Sequence, residues 1–365
     1  MTKITKVALP LKHHSYMIYI GYDILGKLPQ YIKSLHLGTD AVIVSHPMIE
    51  RLHGVKLAAA LRKAGYSVRI FNVPEGESSK SATQALRLIE QIAAYDVNRK
   101  IFLLALGGGV IGDLTGFVAA IYKRGVPYIQ VPTTLLGQID SAIGGKTAID
   151  LKYGKNLVGA FYQPRLVFSD TKTLKTLSRR QIQNGLAEAV KYGVIADASL
   201  FAYLERNYAK FLRLDSTVLN HVIECCSRIK AKVVAMDERD TAGIRAILNF
   251  GHTAGHAVEA ASRYGRYQHG EAVALGMRVA AEISVALKLF KPADALRLNR
   301  LLNNIGLPQK ISGTKLKAIL DVMRHDKKFI GPRNRFVLAT KIGQVKIVEG
   351  IDEEVIITAL QTVSL

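Results

Sequence analysis

The sequence predicts an α/β half followed by a mainly helical half, and three observations predict it. Up to about residue 170, short apolar runs alternate with segments of helical spacing, the pattern of a mostly parallel sheet covered on both faces. Three glycines, Gly107-Gly108-Gly109, fall between one of these runs and the next helical segment, as in Rossmann-like sheets. Beyond residue 170 the segments are long and Ala-rich, with few β-branched runs. The expected division is therefore 1–170 as an α/β domain and 171–365 as a mainly helical domain. The absence of a low-complexity linker suggests that the two share a cleft.

Taken in order, 16–20, 41–45, 67–73, 101–106 and 128–131 read as strands, each a compact apolar run bounded by turn residues. Between them, 25–35, 47–64 and 80–95 carry helical spacing. In the second half, 179–195, 218–236, 252–262 and 271–289 read as helices, and 335–347 as a late β-like stretch. No apolar run of 18 residues is present to span a bilayer, and the first ten residues lack the apolar core of a signal peptide. The two cysteines, Cys225 and Cys226, are adjacent, which offers neither a disulfide framework nor zinc-ribbon spacing and fits a reducing cytoplasm.

A formal net charge of +21 admits nucleic acid, an anionic membrane or anionic small molecules as partners. The Lys and Arg residues are scattered, without a polybasic tract or a ribonucleoprotein motif, so nucleic-acid binding is not expected as the main function. A non-enzymatic nucleic-acid binder would also leave the following motifs unexplained.

Three of the ten histidines, His252, His256 and His269, fall within 18 positions, in Asn249-Phe-Gly-His252-Thr-Ala-Gly-His256 and His269-Gly-Glu271. His252 and His256 are four apart, on one face of a helix, which suits a divalent metal; a capping, a core and a surface histidine would give the same spacing. The metalloprotease pattern His-Glu-x-x-His is excluded because position 253 is Thr. Glu188, three before Lys191, is the best upstream carboxylate for a third ligand, unless the two form an ordinary surface ion pair.

Gly107-Gly108-Gly109-Val110-Ile-Gly112-Asp113 reads literally as G-x-G-x-x-G. It lies after the fourth expected strand, and no acidic residue occurs between Tyr122 and Pro132, where a ribose ligand belongs. A phosphate-cradling loop survives; the standard dinucleotide fingerprint does not. The segments Pro74-Glu-Gly-Glu77-Ser-Ser-Lys80, Pro132-Thr133-Thr134 and Asp140-Ser-Ala-Ile-Gly-Gly-Lys146-Thr also follow strands and should converge at the same end of a parallel sheet. A Walker A loop is excluded because its first glycine would fall on Asp140.

Side by side, these motifs resemble the 3-dehydroquinate synthases, within the broader sugar-phosphate cyclases. Tyr122-Lys-Arg124-Gly, Gly154-Lys155-Asn156, Gly159-Ala-Phe-Tyr-Gln-Pro164 and Glu188-Ala-Val-Lys191-Tyr-Gly add to the likeness, which runs in order from about residue 16 to 345. It implies an NAD-binding α/β domain, a helical metal-binding domain, an active site between them, and a cytoplasmic homodimer. It also implies NAD and Zn2+ (or Co2+) as cofactors, and a small anionic sugar phosphate as substrate. The implied reaction converts 3-deoxy-D-arabino-heptulosonate 7-phosphate to 3-dehydroquinate and phosphate. Transient oxidation, phosphate elimination, re-reduction, ring opening and intramolecular aldol closure would follow one another.

By the same resemblance Glu188, His252 and His269 are metal ligands, with His256 beside them. Lys146, Asn156, Lys191, Lys230, Arg245, Asn249, His256, Lys327 and Lys328 contact substrate, and Arg124 reaches the neighbouring subunit's site. Glu77, Lys80, Gly107, Gly108, Gly109, Val110, Asp113, Thr133, Thr134, Asp140 and Lys155 bind NAD. Lys230 is preferred to Lys232 because the segment from Asp237 to Arg245 is one residue longer than usual. The chain departs from the family at Ser45-His46-Pro47, where Asp or Asn near the adenine ribose is common. The alternatives are a sister cyclase making 2-deoxy-scyllo-inosose or a valiolone, then a glycerol-type metal-dependent dehydrogenase.

Overall fold

The computed structural model describes residues 3–12, 14–262, 265–325 and 334–364. Its chain forms two compact units, Met1–Leu177 with Leu219–Arg239, and Ser178–Val218 with Asp240–Leu365.

The first unit is built on strands β1 (Thr5–Leu9), β2 (Tyr16–Gly21), β3 (Asp40–Ser45), β4 (Ser67–Asn72), β5 (Ile101–Gly107), β6 (Tyr128–Pro132), β7 (Lys146–Leu151), β8 (Gly154–Phe161) and β9 (Leu166–Asp170). Seven of them form one sheet in the order β1-β2-β9-β6-β5-β3-β4, parallel except for the β1–β2 pair. Strands β3, β5, β6 and β9 are buried along their whole length, and β3, β5 and β6 accordingly read as compact apolar runs. At the edge, β4 alternates exposed and half-buried residues.

Side-chain alternation along the strands divides the core into two layers. On one face Ala41, Ile43, Phe102, Leu104 and Leu106 pack with Leu28, Ile32, Leu57 and Leu61 from the helices Leu28–Lys33 and Val55–Lys63. On the other, Val42, Val44, Leu103 and Ala105 meet Leu88, Ile92, Leu114 and Val118 from the helices Ala82–Tyr95 and Gly109–Ile121. Strands β7 and β8 form a separate antiparallel hairpin. The expected helix over 47–64 is present but passes through a π-helical turn at Glu50–Gly54.

The helix Ser216–Met236 carries the chain into the segment Leu219–Arg239, which the expected division at residue 170 assigned to the helical half. Contacts place it with the first unit. Thr171 Oγ1 donates to Asn220 Oδ1 at 2.8 Å, Lys230 Nζ donates to the Asp140 carbonyl at 2.6 Å, and Gln163 Nε2 donates to Glu238 Oε1 at 3.2 Å.

The second unit is a helical assembly with a small hairpin, β10 (Arg335–Lys341) and β11 (Gln344–Glu349). Its central helix, His269–Ala286, is buried over most of its length and packs on His252–Ala261, Arg179–Ala196 and Glu353–Ser364. The closest approach is made through glycine. A Cβ on Gly276 would lie 1.8 Å from the Gly251 carbonyl oxygen, and one on Gly255 would lie 2.8 Å from that of Ala272. The helices bearing His252 and His269 therefore pack almost backbone to backbone. Among the described residues no helix is long and apolar enough to cross a membrane.

Asp170, at the end of β9, ties the first unit's sheet to the turn after β2. Its Oδ1 accepts from the amides of Asp23 and Lys172 at 2.8 and 2.9 Å, and Oδ2 from those of Ile24 and Leu25 at 2.9 and 2.8 Å. Asp170→Ala would strip an acceptor from four amides. A loss of about 3 kcal/mol is expected in urea unfolding, within the range for buried groups deprived of a charged partner. Asp170→Asn should recover no more than half of it, because its NH2 would face two N–H donors.

Candidate functional site

Three side chains that could hold a metal ion come from three helices of the second unit. Glu188 lies mid-way along Arg179–Ala196, a helix whose start is fixed by the reciprocal Ser178–Gln181 capping box. His252 opens the helix His252–Ala261, and His269 opens His269–Ala286. Their ligand atoms all lie within 4.8 Å of one another. Glu188 Oε1 is 3.5 Å from His252 Nε2 and 3.3 Å from His269 Nε2.

Glu188 is wholly buried, and neither of its oxygens accepts a well-aligned hydrogen bond. Lys191 Nζ presses against Oε2 and lies 4.9 Å from the Tyr192 ring centroid. Burial alone would raise the Glu188 carboxyl, but the Lys191 ammonium and the two imidazoles overcome it and hold the group well below the usual carboxylate range. Burial, with Lys191 nearby, pushes His252 well below an ordinary imidazole. Burial also disfavours charge on His269, yet the Glu188 and Glu259 carboxylates win there and raise it to about 9. An acidic oxygen and two imidazole nitrogens facing one point, with buried lone pairs unmatched by hydrogen bonds, fit a divalent cation.

Two contacts set the spacing between Glu188 and His269. Arg180 Nε and Nη2 each lie 2.7 Å from an oxygen of Glu271, which also accepts from the Gln268 amide at 2.8 Å and so closes the first turn of His269's helix. One turn along Arg179–Ala196, Asn184 Oδ1 accepts from the Gly270 amide, and a Cβ on Gly270 would lie 1.9 Å from the Asn184 carbonyl oxygen. His256 stands beside the cluster, its ring centroid 5.2 Å from that of His252 and 5.9 Å from that of His269. Arg245 is buried and Asn249 half-buried, both on the turn Ile244–Asn249. Lys327 and Lys328 lie outside the described residues.

In the first unit the glycine loop joins β5 to the helix Gly109–Ile121, where Gly108 caps without a side-chain hydrogen bond. The amides of that first turn are thus left without a capping side chain, which suits an anion. A Cβ on Gly112 would meet Gln130 Oε1 at 2.8 Å, so the helix lies close over β6 there and a larger residue would have to displace the buried Gln130 amide. The strand-end segments do converge. Lys80 Nζ donates to Asp113 Oδ2 at 2.5 Å and also to Asn156 Oδ1. Lys230 contacts both the side chain and the carbonyl of Asp140, and Lys155 Nζ lies 4.0 Å from Glu77 Oε1. Burial pushes the Asp113 carboxyl up, although Lys80 pulls the other way.

Gly107 and Thr133 are buried, and Gly108, Gly109, Val110 and Thr134 are half-buried around the loop, with Thr134 Oγ1 accepting from the Gly137 amide at 3.1 Å. Lys146 is exposed at the start of β7, and Arg124 is exposed in a turn. Sequence reasoning did not single out Arg180, Asn184 or Glu259. The signal for Glu259 was its place seven residues, about two helical turns, after His252.

A parallel sheet with a strand-end glycine loop in one unit, and a buried Glu-His-His cluster on helices in the other, accompany a fold similar to that of two sugar-phosphate cyclases. A 2-deoxy-scyllo-inosose synthase complexed with carbaglucose-6-phosphate, NAD+ and Co2+ matches with a TM-score of 0.88 at 28% identity, covering 98% of this chain and 100% of that one. A 2-epi-5-epi-valiolone synthase from Streptomyces hygroscopicus with NAD+ and Zn2+ bound matches with a TM-score of 0.88 at 26% identity, covering 97% and 98%.

Sequence narrows the class. Family models described as 3-dehydroquinate synthase N-terminal and C-terminal match residues 70–184 and 185–329. The 3-dehydroquinate synthase of Desulforamulus reducens is 45% identical over 355 residues, covering 97% of this chain and 99% of that protein. The chain belongs to the 3-dehydroquinate synthase family.

A divalent cation held by this cluster would compete with a proton for His269. Below about pH 9 each bound Zn2+ should displace about one proton from His269 and none from His252, so affinity should rise roughly tenfold per pH unit. Zinc titration calorimetry in buffers of different ionisation enthalpy at pH 7.5 measures that proton; buffer-independent heats would contradict it.

Proposed function

We propose that this chain converts 3-deoxy-D-arabino-heptulosonate 7-phosphate to 3-dehydroquinate and inorganic phosphate, as an NAD- and divalent-metal-dependent carbon–oxygen lyase. The observation that carries this reading is the 45% identity with a 3-dehydroquinate synthase across 97% of the chain. The buried Glu188, His252 and His269 support it from the second unit, and the glycine loop from the first.

In this reading Glu188, His252 and His269 hold Zn2+ or Co2+. Glu77, Lys80, Gly107, Gly108, Gly109, Val110, Asp113, Thr133, Thr134, Asp140 and Lys155 hold NAD. When bound, NAD supplies a hydride acceptor that is restored within each turnover, and the cation supplies Lewis acidity toward substrate oxygens.

The protein's own work is binding and orientation. Lys146, Lys230, Arg245, Lys327 and Lys328 supply positive charge for the phosphate and carboxylate of the substrate, and Arg can do so bidentately. Asn156, Asn249 and His256 supply neutral hydrogen-bonding groups. Lys191, buried beside Glu188, sets an ammonium where negative charge on a substrate oxygen would be favoured. Holding one flexible substrate through several steps draws on orientation, which can supply ~7–11 kcal/mol of a barrier.

We further propose a cytoplasmic homodimer in which Arg124 serves the neighbouring subunit's site. The exposure of Arg124 supports this, in a turn where Lys123, Arg124 and Gly125 have successive positive φ values of 49°, 62° and 125°. Lys123 is anchored to the buried Asp96 at 2.5 Å. The β7–β8 hairpin exposes Tyr153, Leu157, Val158 and Phe161, an apolar surface suited to a second copy.

The direct test is phosphate release from 3-deoxy-D-arabino-heptulosonate 7-phosphate with NAD and Zn2+, against a chelated control. Metal-dependent release with 3-dehydroquinate formed and no net NADH is expected. Failure of the folded, zinc-loaded protein to release phosphate would overturn the assignment and direct attention to glucose 6-phosphate and sedoheptulose 7-phosphate. Arg124→Ala should lower kcat/KM about a hundredfold, the scale of a lost charged hydrogen bond, without altering dimer mass or zinc content. Undiminished turnover in that variant would remove Arg124 from the site.

A further inference from the structure

We propose that Glu259 is a positioning residue of the metal site, whose carboxylate fixes the His269 ring so that Nε2 faces the ion. This rests on the reading of Glu188, His252 and His269 as metal ligands. In both histidines Nε2 is the nitrogen turned to Glu188, at 3.5 Å for His252 and 3.3 Å for His269. What holds each ring must therefore act on Nδ1. For His252 that partner is the Phe250 carbonyl oxygen, 3.2 Å away. For His269 it is Glu259 Oε2, at 3.8 Å, a charge contact rather than a hydrogen bond.

The two rings need such help unequally. The side chain of His252 is 9% exposed and confined by packing, whereas that of His269 is 31% exposed. A carboxylate facing Nδ1 selects the tautomer with its proton there, which leaves the Nε2 lone pair for a metal and raises its basicity. Glu259 itself is 8% exposed, so its charge acts through a poorly screened medium. Its place is set by the helix His252–Ala261, in which it follows His252 by about two turns on a similar face. One helix thus supplies a ligand directly and orients the ligand on its neighbour.

The test is Co2+ affinity of the full chain by chelator competition, in wild type, Glu259→Gln, Glu259→Ala and His252→Ala. Glu259→Ala should bind Co2+ about ten- to hundredfold more weakly, the usual effect of losing such an outer carboxylate, with Glu259→Gln between it and wild type. At saturation both Glu259 variants should keep the wild-type visible absorption of Co2+, because the ligands are unchanged. Their metal-free unfolding midpoints should also be unchanged. Wild-type affinity in both variants would overturn the proposal, as would weakened binding matched by an equal loss of metal-free stability. His252→Ala should lose the site; one equivalent of tightly held Co2+ there would instead overturn the ligand reading itself.

Discussion

A carboxylate kept ionised where water does not reach it is the constraint on which the second unit depends. Glu188 has no solvent exposure and no aligned hydrogen bond, so its charge persists only because cationic and polarisable groups surround it. Breaking a buried pair by removing one partner typically costs 3–5 kcal/mol. Lys191 at Oε2 and the imidazoles of His252 and His269 at Oε1 supply the compensation, and a bound cation would supply more. The glycines at 251, 255 and 276 serve the same end, since only closely packed helices can bring the two imidazoles to one carboxylate. Arg180 and Asn184 lock the helix of His269 to the helix of Glu188.

The first unit solves a different problem, that of presenting many donors and charges at the carboxyl ends of a parallel sheet. The loops after β4, β5 and β6 come together because their strands run in the same direction. Lys80 then links Asp113 in the helix after the glycine loop to Asn156 on the β7–β8 hairpin. One ammonium thus joins a residue expected to bind NAD with one expected to bind substrate. Burial raises the Asp113 carboxyl, so Lys80 acts as more than a surface counter-ion.

The buried strands and long helices were legible because their patterning follows directly from burial. Runs such as 101–106 and 128–131 carry little polarity, and the structure extends each by a single residue, to Gly107 and Pro132. The edge strand β1, the short β9 and the β7–β8 hairpin escaped. The hairpin's Gly-Lys-Asn and Gly-Gly-Lys segments suggest ligand loops, and its outer strand is too exposed for an apolar pattern. Spacing along one helix paired His252 with His256, but the cluster unites His252 with Glu188 and His269 across three helices. Such long-range meeting leaves no local periodicity, so the resemblance supplied what spacing could not. Glu259 went unnoticed for a related reason: its partner lies on another helix.

The claim that Glu188, His252 and His269 form one divalent-metal centre is tested most directly by zinc K-edge X-ray absorption on the stoichiometrically loaded protein. The account predicts two imidazole nitrogens and one carboxylate oxygen as the protein ligands, with the imidazole scattering reduced by half in His269→Ala. A sulfur ligand, or imidazole scattering unchanged in that variant, would contradict it.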